Sequence, residues 1–186
     1  MHLSAENRLL LGTVGWRRQD WEHGYYPDDL PPDWHLAYLA NDADCVFLPE
    51  SAWRLAAAPD WLAELDEAPP DFVFLLRLEQ PADPAARAAL ERFAGHRAVL
   101  LVERPEPQLD TFEQWPALAP DAWAAAGGSA RLLRWRIDSF DLRRLRERAA
   151  TAIAAGPLIG VVIDGPGADP GRLPELRLLF ELLGHG

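Results

Sequence analysis

Short apolar segments alternate with segments of helical pattern along most of this chain. The apolar segments lie at residues 9–16, 45–48, 72–78, 98–102, 131–138 and 158–164. The helical patterns lie at residues 34–40, 59–67, 84–93, 142–155 and 173–183. Where strands and helices alternate, right-handed crossovers join the strands into a mainly parallel sheet. The order of elements therefore predicts an α/β fold.

Two α/β architectures fit this order: a TIM-type (β/α) barrel and a doubly wound parallel sheet. A full eightfold barrel usually takes about 250 residues. This chain has 186 residues and shows about six strands, so we expect a shortened or incomplete barrel. Residues 105–129 hold four Pro, two Trp and a Gly-Gly pair, which predicts an irregular connection. No linker or repeat divides the chain, so residues 1–186 are expected to form a single domain.

Composition excludes several classes of protein. Hydrophobic residues make up 49% of the chain, which is too many for a disordered protein. No apolar run approaches the roughly 18 residues that a membrane-spanning helix needs. The N-terminal residues lack the pattern of a secretory signal, so we expect a cytoplasmic protein. A single Cys excludes a Cys-rich zinc site.

The charge is strongly negative but unevenly distributed. The net charge is −11, and all 18 basic residues are Arg. An acidic protein repels nucleic acid at long range, so a nucleic-acid partner is not expected. Residues 131–148 nevertheless carry seven Arg against three acidic residues. This segment is either a solvated helix face with i,i+4 ion pairs or a patch for phosphate or nucleic acid.

The most specific motif is GTVGWRRQDWEHGYYPDDLP at residues 12–31. It resembles the opening of the YecE-like family, also called the domain of unknown function 72. The matching residues are Gly12, Thr13, Gly15, Trp16, Trp21, Tyr25, Tyr26, Pro27, Leu30 and Pro31. The resemblance implies a TIM-type barrel but no settled activity. Some members of the family have been compared with metal-dependent nucleases of the same fold.

The chain departs from the family pattern at polar positions. Phe47 and Pro49 stand where the family has Glu and Asn on its second strand, and Ile163 and Asp164 replace paired Asn. These losses favour a degenerate, non-catalytic barrel with a binding or interaction role. A barrel with missing strands would also leave open sheet edges, which a homodimer could cover.

Candidate site residues lie where strands end, because the carboxyl ends of strands form the site face of such folds. The candidates are the carboxylates Glu103, Asp138 and Asp164 and the arginines Arg77, Arg134 and Arg136. The arginines suit an anionic ligand, since a guanidinium donates to carboxylate or phosphate through a planar fork. Alternatively, the carboxylates would bind Mg²⁺ or Mn²⁺ in a hydrolase acting on a phosphate-containing substrate. In a third interpretation, the carboxylates only form ion pairs with the arginines. No metal is assigned to the site.

The aromatic group after the first strand also has two interpretations. Trp16 and Trp21, followed by Tyr25 and Tyr26, would stack a ligand at the barrel mouth or would cap the core. The site hypotheses therefore include both Trp residues as candidate ligand contacts. A nucleic-acid-binding module through residues 131–148 remains a weaker alternative.

Overall fold

The computed structural model describes residues 8–22, 24–57, 59–125 and 127–185. Eight strands within these residues form a closed barrel, in which each strand pairs with the next and the last pairs with the first. The strands are β1 (Leu10–Val14), β2 (Cys45–Leu48), β3 (Val73–Arg77), β4 (Arg97–Val102), β5 (Glu113–Ala119), β6 (Ala122–Ala124), β7 (Arg131–Arg136) and β8 (Leu158–Asp164). The strand β6 is antiparallel to both neighbours, whereas the other strand pairs are parallel.

Closure with eight strands corrects the expectation of about six strands in an incomplete barrel. It also excludes the alternative of an open, doubly wound sheet. The two missed strands, β5 and β6, lie within residues 105–129, which were predicted to be irregular. Neither strand shows a long aliphatic run, because β5 is interrupted by Pro116 and β6 is only three residues long.

In the β5–β6 hairpin, Pro116 lies where β5 stops pairing with β4 and begins to pair with β6. Pro116 is opposite Val102, the last residue of β4, and the hairpin ladder with β6 begins one residue later at Ala117. A proline cannot donate to a ladder, so strands accept it where pairing ends or becomes irregular. The hairpin supplies two strands without a crossover helix, and this is how a short chain closes the barrel.

Helices cover most of the barrel wall. They are α1 (His35–Leu39), α2 (Glu50–Trp53), α3 (Pro59–Asp66), α4 (Pro84–Leu90), α5 (Leu142–Ala154) and α6 (Leu173–Leu182). Helix α4 begins as expected, with Pro84 in its first turn and the Asp83 carboxylate accepting from the amide of Ala86 at 2.6 Å. The short helix α2 was not predicted from the sequence.

Two apolar layers hold these elements together. The interior layer fills the barrel with ten buried side chains, among them Phe47, Leu75, Trp115 and Trp123. The outer layer lies between the strands and the helices. Because the interior is packed with side chains, the barrel is a core and not a channel.

The opening motif has a structural reason for its glycines. A Cβ atom on Gly12 would lie 2.0 Å from the carbonyl oxygen of Cys45, so only glycine fits where β1 and β2 approach each other. Gly15 has a φ of 66°, and its amide donates to the carbonyl of Phe47 at 2.9 Å. Glycine adopts this left-handed conformation without the strain of a side chain. The motif therefore turns the chain sharply at the end of β1.

Among the described residues, no helix has the length and apolar character that crossing a membrane requires. The prediction of a cytoplasmic protein drew on the N-terminal sequence. Residues 1–7 of that segment lie outside the described part of the chain.

Candidate anion-binding site at the barrel mouth

The carboxyl ends of the parallel strands meet at one end of the barrel, called here the mouth. Arg77 on β3 belongs to the same alternating series as Leu75, which lies in the barrel interior. Arg134 and Arg136 on β7 belong to the same series as the interior residue Leu132. The three arginines therefore face the mouth, as the alternation of the strands predicted.

An aromatic pair lies in the lumen of the barrel. Phe47 on β2 and Trp123 on β6 approach from strands on opposite sides, with ring centroids 5.6 Å apart. Each residue is about 1% exposed. The buried indole nitrogen of Trp123 has no hydrogen-bond partner among the described residues. A water molecule or a ligand oxygen would satisfy this donor.

Arg77 lies against this aromatic pair from the β3 side. Its guanidinium carbon is 5.5 Å from the ring centroid of Trp123. One guanidinium nitrogen donates to the carbonyl of Leu101 at 3.2 Å, and another pairs with the carboxylate of Glu103. The Arg77 side chain is 14% exposed, whereas that of Glu103 is 65% exposed. The cation is thus fixed and largely buried, while its carboxylate partner lies in solvent.

Arg134 repeats the arrangement on the β7 side. Its guanidinium carbon is 5.0 Å from the ring centroid of Phe47. Its Nε donates to Oδ1 of Asp121 at 2.8 Å, and its terminal nitrogen lies 2.6 Å from the same oxygen. The backbone amide of Arg134 also donates to the carbonyl of Asp121 at 2.9 Å. The arginine therefore holds the β5–β6 turn at the mouth.

The third arginine is held more loosely. Arg136 is 75% exposed, and its Nε lies 3.5 Å from Oδ2 of Asp164. The other oxygen of Asp164 accepts from the amide of Gly165 at 2.7 Å. Asp138 is exposed after the end of β7. The predicted carboxylates therefore differ in setting: Glu103 and Asp164 are paired with arginines, and Asp138 is a solvated residue beyond the strand.

The three candidate metal ligands are not brought together. Glu103 follows β4, whereas Asp164 ends β8, four strands away around the barrel. In the part of the chain that the structure describes, no three His, Cys, Asp or Glu side chains are grouped so that they could hold a metal ion. At the mouth, Glu103 and Asp164 are instead each paired with an arginine.

The two candidate tryptophans are buried. Trp16 is 1% exposed, and its indole nitrogen donates to the buried carboxylate of Glu64. Trp21 is 4% exposed, and its indole nitrogen donates to the carbonyl of Ala168 at 3.0 Å. Buried rings with satisfied donors pack the core, so the structure favours the core interpretation for both. Neither is kept in the candidate site.

Sequence reasoning missed Phe47, Asp121 and Trp123 as parts of the mouth. Phe47 was considered only as the replacement of a family Glu. The other two lie in the segment that was predicted to be irregular. A usable signal was present there, because Trp115 and Trp123 flank Pro120 and Asp121, two residue types that favour a turn between two segments.

Comparison with solved structures gives a structural likeness. No family model and no curated protein matches the chain. A solved structure of a DUF72 family protein from Thermotoga maritima is similar to it, with a TM-score of 0.49 and 13% sequence identity. The similarity covers 96% of this chain and 99% of that one. DUF72 is also the family whose opening motif residues 12–31 resemble.

Proposed function

We propose that this chain is a diverged, non-catalytic YecE-like barrel whose mouth binds a small anionic ligand, a phosphate or a carboxylate. Arg77 and Arg134 would bind the anion, and Arg136 would contribute from the rim. The observation that supports this is an asymmetry within the ion pairs. The side chains of Arg77 and Arg134 are 14% and 23% exposed, but those of their acidic partners Glu103 and Asp121 are 65% and 40% exposed.

The arginines are ordered before any ligand arrives. Each of the two inner guanidinium groups lies near an aromatic ring, Arg77 near Trp123 and Arg134 near Phe47. A planar guanidinium that is stacked and partly desolvated loses little further freedom when it binds an oxyanion. Preorganisation of this kind increases affinity because the cost of ordering the group is already met.

A bound anion would replace Glu103 and Asp121 as the partners of the two arginines. An ion pair with an exposed carboxylate stabilises a protein by only about 0.2–1 kcal/mol. Glu103 is free to rotate into solvent, and the Asp121 side chain can do so while its backbone stays bonded to Arg134. A ligand carrying two negative charges would therefore displace one or both carboxylates from the guanidinium groups.

The arrangement favours binding over metal-assisted hydrolysis. A hydrolase of that type needs carboxylates that converge on one cation. Here Glu103 and Asp164 lie on opposite sides of the barrel, each beside an arginine. The Phe47–Trp123 pair also occupies the lumen, so a ligand would rest above it and within reach of the arginines.

Thermal unfolding in the presence of inorganic phosphate, pyrophosphate or citrate tests the proposal. Sodium chloride at matched ionic strength is the reference. A ligand at 100 times its dissociation constant stabilises the native state by about 2.7 kcal/mol. For a chain of this size, that corresponds to a rise in Tm of roughly 5–10 °C.

Three variants make the test specific. Arg77→Met and Arg134→Met keep an apolar stem over the aromatic ring but remove the charge, so the rise in Tm should disappear. Arg92→Met removes an exposed arginine far from the mouth and should respond like the wild type. If none of the three anions raises Tm, or if the mouth variants respond like the control, the proposed function is wrong.

A further inference from the structure

One sector of the barrel wall has no helix in the described part of the chain. Strand β4 is followed only by a 3₁₀ turn at Pro107–Leu109, and β5 and β6 run directly into the next strands. The outward residues of this sector are Pro116, Leu118, Ala122, Ala124 and Leu133. Leu118 is 58% exposed. We call this surface the vacant sector.

Helix α5 borders the vacant sector with positive charge. An open groove of about 520 Å³ runs between α5 and the outer side of β7. Its charged lining is three arginines, Arg131, Arg144 and Arg148, and one carboxylate, Glu147. The i,i+4 ion pairs that the sequence predicted are not found along α5 in the described residues. The ion pair at this helix joins Arg144 to the capping residue Asp141, at 3.6 Å. The groove therefore keeps a positive character in a chain of net charge −11.

The solvent face of helix α6 is apolar with acidic residues beside it, so it complements the vacant sector and its basic border. Its solvent face presents Leu178 and Leu182, which are 55% and 79% exposed and lie one helical turn apart. Glu175 and Glu181 are exposed beside them. Glu175 is paired with Arg172 of its own chain, so Glu181 is the carboxylate available to a partner. This face is an exposed apolar stripe with an acidic margin.

We propose that α6 of a second copy of this chain packs into the vacant sector of the first. Leu178 and Leu182 would lie on the outer faces of β5, β6 and β7, where Leu118 is exposed. Glu181 would lie beside Arg144 of the neighbouring groove. Both apolar surfaces would leave water together, and the charges at the margin would match.

Within one chain, α6 and the vacant sector lie on opposite sides of α5, so the proposed contact is between two copies. Helix α6 follows β8 and packs beside α5, whereas the vacant sector lies on the other side of α5. The two surfaces of one chain therefore cannot meet. Joining unlike surfaces makes a head-to-tail association. One helix in a shallow sector buries less area than a standard stable interface, so the association is expected to be weak.

A nucleic acid fits the same surface less well. Single strands bind through exposed aromatic rings on which bases stack. Trp135, the aromatic residue of the groove, is 3% exposed, and the Arg148 guanidinium lies 4.8 Å from its ring centroid. The exposed side chain of the adjoining vacant sector, Leu118, is aliphatic. The net negative charge of the chain also opposes a polyanion.

Sedimentation velocity on the full chain, from micromolar to near-millimolar concentration, tests the proposal. The average mass of the wild type should rise with concentration. The double variant Leu178→Ser/Leu182→Ser should associate at least about tenfold more weakly, since each leucine loses its burial. Leu55→Ser, which changes an equally exposed leucine elsewhere, should behave like the wild type.

A mixing experiment separates the two surfaces. The variant Leu118→Ser/Arg144→Glu has a defective vacant sector and an intact α6. The variant Leu178→Ser/Leu182→Ser has a defective α6 and an intact vacant sector. Each alone should remain monomeric, whereas the mixture should form a one-to-one dimer through the remaining intact pair.

Three results would overturn the proposal. The first is a wild type that stays monomeric at every concentration. The second is an α6 variant that associates like the wild type. The third is a mixture that contains only monomers. A monomeric wild type that binds a labelled single-stranded RNA, with affinity falling steeply as salt increases, would assign the arginine face to a polyanion instead.

Discussion

The rings of Phe47 and Trp123 meet in the barrel lumen with their centroids 5.6 Å apart. They come from β2 and from the hairpin strand β6, so one contact joins the regular part of the barrel to its atypical part. The same two rings lie under the guanidinium groups of Arg134 and Arg77. The aromatic pair therefore supports both the hairpin and the arginines of the mouth.

Truncating Phe47 should destabilise the whole barrel. Replacing a fully buried Phe by Ala costs about 3–5 kcal/mol, because apolar contacts are lost and a cavity remains. We expect Phe47→Ala to lower the free energy of unfolding in urea by about that amount. Leu55→Ala, at a residue that is 62% exposed, should change it by less than about 0.5 kcal/mol. Similar unfolding midpoints for the two variants would contradict the importance of the aromatic pair.

Removing the charge of Glu103 should strengthen anion binding. This carboxylate competes with a ligand for Arg77, and Glu103→Gln keeps its size while weakening that competition. An exposed pair contributes about 0.2–1 kcal/mol, so we expect phosphate or pyrophosphate affinity to rise up to about fivefold. Titration calorimetry would measure it, with Glu91→Gln as an exposed control. A fall in affinity would mean that Glu103 helps to hold the ligand.

Much of the barrel could be predicted from local sequence pattern. The apolar segments predicted at residues 45–48, 72–78, 98–102 and 158–164 correspond to β2, β3, β4 and β8, whose two faces are covered. Alternation along β7 also placed Arg134 and Arg136 together on the inner face. These features depend on neighbours in sequence, and periodicity reports such neighbours directly.

The hairpin and the mouth partners could not be predicted in the same way. Strand β6 is three residues long and is defined by its pairing with β5 and β7, and the Pro-Asp pair before it indicates a turn but not that pairing. The pairing of Arg134 with Asp121 likewise depends on that hairpin. Burial of Trp16 and Trp21 follows from long-range contacts with Glu64 and Ala168. Tertiary contacts decided each of these outcomes.

Helix α5 should lose stability when its cap is removed. The Asp141 carboxylate accepts from the amides of Arg143 at 2.9 Å and Arg144 at 3.3 Å. Because these amides lie in the first turn, Asp141→Ala leaves them without their side-chain acceptor and should cost about 1 kcal/mol. Urea unfolding checks the size of the loss. Asp141→Asn retains an acceptor and should recover most of it, whereas equal losses in both variants would show that the charge matters more than the cap.

The stability of the barrel should decrease in mild acid through His96. Burial lowers the pKa of His96 below its ordinary value of 6.5, and Asp66 only partly opposes this. His96 contacts the Phe74 ring edge-on, with centroids 5.5 Å apart. The folded state therefore binds this proton less readily than the unfolded state. Stability from this group is present above about pH 6.5 and is lost as the pH falls below it, by at most about 1.4 kcal/mol per pH unit.

The measurement is the free energy of unfolding in urea between pH 5 and 7.5, compared between two variants. His96→Phe keeps an aromatic ring against Phe74 and removes the titrating group, so its pH dependence should be shallower than that of the wild type. Leu55→Ala, at an exposed residue, removes no titrating group and should leave the wild-type slope. The interpretation depends on the difference between these slopes, because the carboxylates titrate in all three proteins. If His96→Phe keeps the full slope, the acid sensitivity belongs to the carboxylates and not to His96.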